Sequence, residues 1–328
     1  MSGMAHESLL RDIRHGDRVA LARAITLVES TRSADRDAAT ALIRATLQNP
    51  GSSARIGITG IPGVGKSTLI DALGSHLIGQ GRRVAVLAVD PSSTRGGGSI
   101  LGDKTRMERL AGEEHAFIRP TPSGGTLGGV ARRTREAMIL CEAAGYDRIL
   151  IETVGVGQSE AAVDQLTDLN LLLAIGGTGD SLQGIKRGIM EVADLIAINK
   201  TDGDNEQRNQ RASMDLRQAI ALLPPRESGH RPEVVLCSAT TGMGISRLAD
   251  ALEGIIARDT GSGHRDLRRQ GQARWWMRSA IEEALIDGFF RDERVRRMLP
   301  AMEERVNEGL ISPFDAADEL LKQYRRSA

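Results

Sequence analysis

The spacing of apolar positions along the chain changes twice and divides it into three zones. Up to about residue 50 it is helical: Leu9, Leu10 and Ile13, then Val19 to Val28, then Ala39 to Leu47. Asn49-Pro50-Gly51-Ser52-Ser53 closes that zone as a loop. From Ala54 to about Arg258, short apolar runs alternate with helix-length patterns. Strands are predicted over Arg55 to Thr59, Val84 to Val89, Ala116 to Arg119, Arg148 to Ile151, Leu169 to Ile175, Leu195 to Ile198 and Glu233 to Cys237. Such alternation predicts an α/β fold, a mostly parallel central sheet flanked by helices. Asp259-Thr260-Gly261-Ser262-Gly263 reads as a flexible linker, and the spacing beyond it is helical again. Ser312-Pro313 marks a helix start, with Ser as N-cap, Pro at the first helical position and Asp315 in the first turn. Phe314, Ala317, Leu320, Leu321 and Tyr324 then form one apolar stripe. The expected division is an N-terminal helical extension over 1–53, an α/β domain over 54–258 and a C-terminal helical region over 259–328.

Within this pattern, Gly60-Ile61-Pro62-Gly63-Val64-Gly65-Lys66-Ser67 spells G-x-x-x-x-G-K-[ST] without a mismatch. It follows the run Ile56-Gly57-Ile58 and opens a segment from Thr68 to Ile78 with helical spacing, the strand–loop–helix context a phosphate-binding loop requires. Glycines at 60, 63 and 65 let the backbone wrap closely around phosphates with its N–H groups inward. The helix adds its positive N-terminal end. Lys66 is expected to reach the β/γ-phosphates and Ser67 to ligate Mg²⁺, so residues Gly60 to Thr68 form the candidate triphosphate site.

The base is read further along. Leu195-Ile196-Ala197-Ile198 leads directly into Asn199-Lys200-Thr201-Asp202, the N-K-x-D pattern at a strand end. The Asp202 carboxylate can accept from guanine N1–H and the N2 amine; adenine has no such donor pair and would leave it unpaired. The Lys200 stem can lie across the base, and Asn199 can brace the loop. The next strand runs into Ser238-Ala239, where a backbone N–H can meet guanine O6. The order of these elements predicts GTP/GDP as the nucleotide.

Acids stand where magnesium chemistry needs them. The strand ending at Val89 runs into Asp90, and the strand after Arg148 runs into Glu152-Thr153-Val154-Gly155. Both lie at the carboxyl edge of a parallel sheet, where α/β ligands sit. Where D-x-x-G is usual, Glu152 keeps the charge with one more methylene, and Gly155 is placed to bond the γ-phosphate. A single strand-end acid reads as an N-cap or solvated carboxylate, but two in this order after a phosphate loop point to Mg²⁺. The glycine-rich stretch after Asp90 ends in another acid, Asp103. The catalytic candidates are Lys66, Asp90 and Glu152, and the metal candidates Ser67, Asp90, Asp103 and Glu152.

Composition narrows the partners. The 328 residues carry 43 Lys+Arg against 43 Asp+Glu, a formal net charge of zero, which favours neither nucleic acid nor an anionic membrane. Cys141 and Cys237 read as buried small hydrophobes in a reducing compartment. No apolar run approaches the ~18 residues of a membrane span, and no basic start precedes an apolar stretch. A cytoplasmic protein is expected.

The runs VAVLAVDPSSTRGGGSILGDKTRM (84–107), ETVGVGQSE (152–160), GDSLQGIK (179–186) and NKTD (199–202) resemble those of MeaB-type GTPases. These are also called ArgK-type and include bacterial relatives of the human methylmalonic aciduria type A protein. The resemblance covers roughly Leu9 to Leu252. It implies a P-loop GTPase of the G3E class that protects and loads an adenosylcobalamin-dependent acyl-CoA mutase such as methylmalonyl-CoA mutase. It also implies gating of cofactor delivery and of the release of damaged cobalamin, and a homodimer built through helical extensions. By position, Ser67, Asp90, Asp103 and Glu152 are similar to the family's Mg²⁺ and switch acids. Gly179 to Lys186 resembles its third switch, which relays nucleotide state to the mutase. Ala174-Ile175-Gly176-Gly177-Thr178 lacks the proline-containing run expected ahead of that switch. No Gln directly follows Gly155, Gln158 coming three later, so hydrolysis is expected to be slow alone and stimulated by the partner.

Two other functions would leave different marks in the sequence. A protein kinase acting on periplasmic amino-acid-binding proteins would transfer phosphate to protein, but no kinase catalytic loop is present. A GTP-dependent metallochaperone would need clustered ligands, whereas His6, His15, His76, His115, His230 and His264 are scattered. Trp275-Trp276 amid Arg268, Arg269, Arg274 and Arg278 reads as a helix–helix interface rather than a nucleic-acid platform, since Glu282, Glu283 and Asp287 follow closely.

Overall fold

The computed structural model describes residues 3–30, 32–89, 107–121, 127–153, 164–176 and 192–325. Asp90, Asp103, Gly155 and the stretch 179–186 lie outside the described residues. The chain divides into two compact units, 1–272 and 273–328.

The first unit opens with α1 (Gly3–Arg14), α2 (Arg18–Glu29) and α3 (Ser33–Leu47). Asp17 caps α2 by accepting from Val19 N at 2.7 Å and Ala20 N at 3.1 Å. Helix α2 buries Ala20, Leu21, Ala24, Ile25 and Val28, a stripe at helical period. At its end, the buried Glu29 pairs with Arg119. Burial raises the Glu29 pKa, opposed by the Arg119 hydrogen bond and charge.

The sheet follows. Its strands are β1 (Ala54–Gly60), β2 (Val84–Val89), β3 (Ala116–Thr121), β4 (Arg148–Thr153), β5 (Leu169–Ala174), β6 (Leu195–Ile198) and β7 (Glu233–Leu236). All seven predicted strands are present. They pair in the order β3-β2-β4-β1-β5-β6-β7, and every pairing is parallel. The apolar runs are continuous because both faces are covered; β1 and β5 are buried at every position. Ile56 aligns with Leu150 on one side and Leu169 on the other, which puts β1 at the centre.

Between the strands lie α4 (Lys66–Gly79), α5 (Glu108–Ala111), α6 (Leu127–Ala143), α7 (Glu206–Leu222) and α8 (Ile245–Gly261). Leu69, Ile70, Leu73 and Leu77 of α4 join Leu248, Ala249 and Leu252 of α8 in one core. Leu216 and Ile220 of α7 pack with Leu172, Ile196 and Val234 in another. Glu253 of α8 takes a bidentate pair from Arg148, 2.6 Å on each side, and a bond from Arg82 at 3.1 Å.

The expected linker at 259–263 is instead a tight turn between helices. Helix α8 runs through Gly261 with Asp259 buried, and Gly263 at φ 75 closes the turn before α9 (His264–Arg291). The first turns of α9 are tied down by polar contacts. Arg269 donates to Asp168 Oδ1 and Oδ2 at 2.8 and 2.7 Å and to Ser53 O at 2.8 Å. Arg268 and Gln272 donate to Thr167 O at 2.9 and 2.7 Å. Arg55 and Glu142 form a buried bidentate pair at 2.8 and 3.0 Å beside them. All of these lie at the amino ends of the strands.

In the second unit, α10 (Glu293–Asn307) is capped by Asp292, which accepts from Arg294 N at 2.9 Å and Val295 N at 3.1 Å. Helix α11 (Pro313–Arg325) starts as predicted, with Ser312 Oγ accepting from Asp315 N at 3.1 Å. Its buried side is Ala316 and Leu320, not the full predicted stripe: Phe314 is 83% exposed. Tyr324 meets Phe289 edge-on, with centroids 5.4 Å apart.

Candidate functional site

Because every strand points the same way, the carboxyl ends of all seven lie at one edge of the sheet. The loop after β1 is the phosphate-binding candidate. Gly63 and Gly65 take φ of 78° and 95°, the left-handed region that glycine enters without a Cβ clash. Gly65 also permits a close approach: a Cβ there would stand 2.7 Å from Asn199 Nδ2. Lys66 Nζ donates back to Gly60 O at 2.8 Å and Ile61 O at 3.3 Å, so the ammonium lies across the loop. Burial lowers its pKa, and the charge of Glu152 opposes that shift. A cation, the first-turn N–H groups of α4 and the helix dipole converge on one spot, which suits a phosphate chain.

The loop after β6 is bolted to that loop. Asn199 is buried; its Nδ2 donates to Val64 O at 2.9 Å and its Oδ1 accepts from Ala239 N at 3.0 Å. Lys200 Nζ donates to Gly63 O at 2.9 Å. Among the described residues Lys200 is the non-glycine residue with positive φ, at 59°. Thus Asn199 ties the loop after β6 to its neighbours, and the Lys200 stem spans from that loop to the phosphate loop.

Ser238 and Ala239 also make bonds within the protein. Ser238 N donates to Met243 O at 2.8 Å and Ala239 N to Asn199 Oδ1 at 3.0 Å, so both backbone N–H groups of the pair have protein acceptors. Any bond from Ala239 N–H to guanine O6 would be shared with Asn199. The Ser238 hydroxyl, which sequence reasoning did not use, donates to Asp202 Oδ2 and itself accepts from Thr241 N at 3.2 Å. This chain fixes the orientation of the Asp202 carboxylate. Behind it, burial pushes the Cys237 thiol up to about 12, so it stays a neutral packing group.

Glu152, at the end of β4, accepts from Ser67 Oγ at 3.0 Å. A hydroxyl in the first turn of α4 and a carboxylate at a strand end are hard oxygen donors, the set Mg²⁺ takes. The two described metal candidates therefore come together and fit the ion. Asp90, Asp103 and Gly155 fall outside the described residues. A further residue was missed by sequence: Asn209 Nδ2 of α7 donates to Asn199 O at 3.0 Å in the loop after β6, and an amide in a helix's first turn carries no signal of that.

Comparison with known proteins gives the family. The family model of the methylmalonyl-CoA mutase-associated GTPase MeaB matches residues 21–294. The chain is 51% identical over 316 residues to a probable GTPase of Mycobacterium tuberculosis, covering 96% of this chain and 94% of the relative. It is 46% identical over 320 residues to the mouse mitochondrial methylmalonic aciduria type A homolog, covering 94% and 77%. A solved LAO/AO transport system kinase is similar over 99% of both chains, with TM-score 0.76 and 38% identity.

Proposed function

The chain belongs to the MeaB family of GTPases, and from that premise we propose that it is a GTP-driven chaperone of an adenosylcobalamin-dependent acyl-CoA mutase. In this reading it binds and protects the mutase and gates its cofactor loading. The observation that carries it is the family match across residues 21–294, which takes in the G domain and reaches the C-terminal helices.

The roles follow from the site. Gly60 to Thr68 cradle the phosphates, with Lys66 stabilising charge on the transferring group. Ser67 and Glu152, with Asp90 and Asp103, would hold Mg²⁺, which would supply positive charge against the charge developing on the phosphates. Gly155 bonds the γ-phosphate. Asp202 reads guanine; Asn199, Lys200 and the Ser238 hydroxyl hold it in place, and the Ala239 N–H, shared with Asn199, is the group left to meet O6. The helices over 259–328 carry a homodimer interface, supported by the exposure of Met277, Ile281, Leu285 and Phe290 along α9.

The test is GTP turnover with and without the cognate mutase. We expect stimulation of at least tenfold, which needs only ~1.4 kcal/mol of barrier; an unchanged rate counts against the reading. A second reading comes from the solved relative, a transport system kinase. It predicts transfer of the γ-phosphate of GTP to a protein side chain, and label appearing only in free phosphate argues against it.

A further inference from the structure

Asn209 stands in the first turn of α7 and is completely buried. Its amide orientation is forced. Oδ1 must face Gly176 N–H, a donor, at 2.8 Å, and Nδ2 must face Asn199 O, an acceptor, at 3.0 Å. The second N–H of Nδ2 goes to Thr201 Oγ1 at 2.9 Å. That hydroxyl spends its own proton on Ile198 O at 3.0 Å, so it meets Asn209 as an acceptor. Both donors of the amide are therefore used inside the base-reading loop, one on each side of Lys200. The acceptor is used at the exit of β5. Gly176 makes that approach feasible: a Cβ there would stand 2.3 Å from Asn209 Oδ1 and 3.0 Å from Arg208 O.

Lys200 needs this support. A left-handed lysine is strained relative to an ordinary conformation, so the loop relaxes unless its flanks are held. With the Asn199 carbonyl and the Thr201 hydroxyl both pinned, the chain arrives at Asp202 in one register. There the Ser238 hydroxyl completes the orientation of the carboxylate.

We propose that Asn209 is the positioning residue for base recognition: it holds the loop 199–202 in the register in which Asp202 reads guanine, and so sets base selectivity without touching the nucleotide. The proposal rests on the reading of Asp202 as the guanine contact.

The test compares GDP with IDP, which lacks the N2 amine and so loses one bond to Asp202. Both compete against a fluorescent GDP analogue on the full-length protein. Losing a bond to a charged acceptor predicts a GDP-over-IDP preference of about tenfold or more. Asn209→Ala, and Asn209→Asp, which keeps the Gly176 acceptor but puts a carboxylate oxygen against the Asn199 carbonyl, should each erase most of that preference. Thr201→Val, which removes one of the two anchors, should lower it severalfold, and Thr201→Ser should restore it. This second pair carries the test if an Asn209 variant does not fold. A merely structural role would weaken GDP and IDP equally and leave the ratio unchanged, and that result overturns the proposal. Asp202→Asn separates the underlying reading: it should switch preference to XDP. If it switches while the ratio is unmoved in the Asn209 and Thr201 variants, positioning fails and guanine reading stands. If it does not switch, both fall.

Discussion

Gly63→Ala and Gly65→Ala are the same chemical change two residues apart, and the structure predicts different outcomes. Both glycines have positive φ, so each alanine carries a left-handed strain of about 1–2 kcal/mol. At Gly63 nothing lies within 4 Å of the added Cβ, so the strain is the whole cost. At Gly65 the Cβ would stand 2.7 Å from Asn199 Nδ2, whose bond to Val64 O must then break. Leaving that buried carbonyl unpaired adds ~1–3 kcal/mol. Thermal unfolding without nucleotide, followed by circular dichroism, should show a fall of roughly 2–8 °C for Gly63→Ala and a further ~2–12 °C for Gly65→Ala. The extra loss should vanish in an Asn199→Ala background, where the obstructing amide is gone. Equal losses in the two glycine variants, or an extra loss that survives Asn199→Ala, would refute the bolt between the two loops.

Two further outcomes follow from the ion pairs. Arg269→Met should cost about 3 kcal/mol in urea unfolding, because it strips the bidentate partner from the buried Asp168, and Arg269→Lys should not restore it. For Glu253, burial raises the pKa, but hydrogen bonds and charge from Arg148 and Arg82 bring it below its ordinary 4.5. A depressed carboxylate stabilises the fold above its unfolded value and loses that contribution as pH falls through the folded one. The urea midpoint of Glu253→Gln should therefore lie below the parent's at pH 7, with the gap closing on acidification below 4.5.

The elements most legible in the sequence are those whose signal is local. A strand, a glycine loop and a helix in succession specify the phosphate loop, and seven apolar runs with helical spacers specify the sheet. What escaped the sequence depends on partners remote in the chain. Arg268 and Arg269 look like part of a basic cluster beside Trp275-Trp276. In the fold they meet Asp164 and Asp168, and no periodicity reports a contact over that separation. The Ser238 hydroxyl and the Asn209 amide were hidden for the same reason. The turn at 259–263 has linker composition, yet Asp259 is buried with Arg258 beside it, at 3.0 Å, and the helix continues. The stripe on α11 has the right period, but period alone does not say which flank of the stripe is covered.

The anchors of α9 sit at the amino ends of the strands, while the nucleotide loops leave from the carboxyl ends, so seating the helix and handling the nucleotide draw on separate sets of side chains. Mutational drift among Ser53, Asp168 and Arg269 can be tuned without touching Lys66 or Asp202. In evolutionary terms the seat of α9 and the GTP site are separate traits: the residues that hold the helix can change while the GTP site is inherited unaltered.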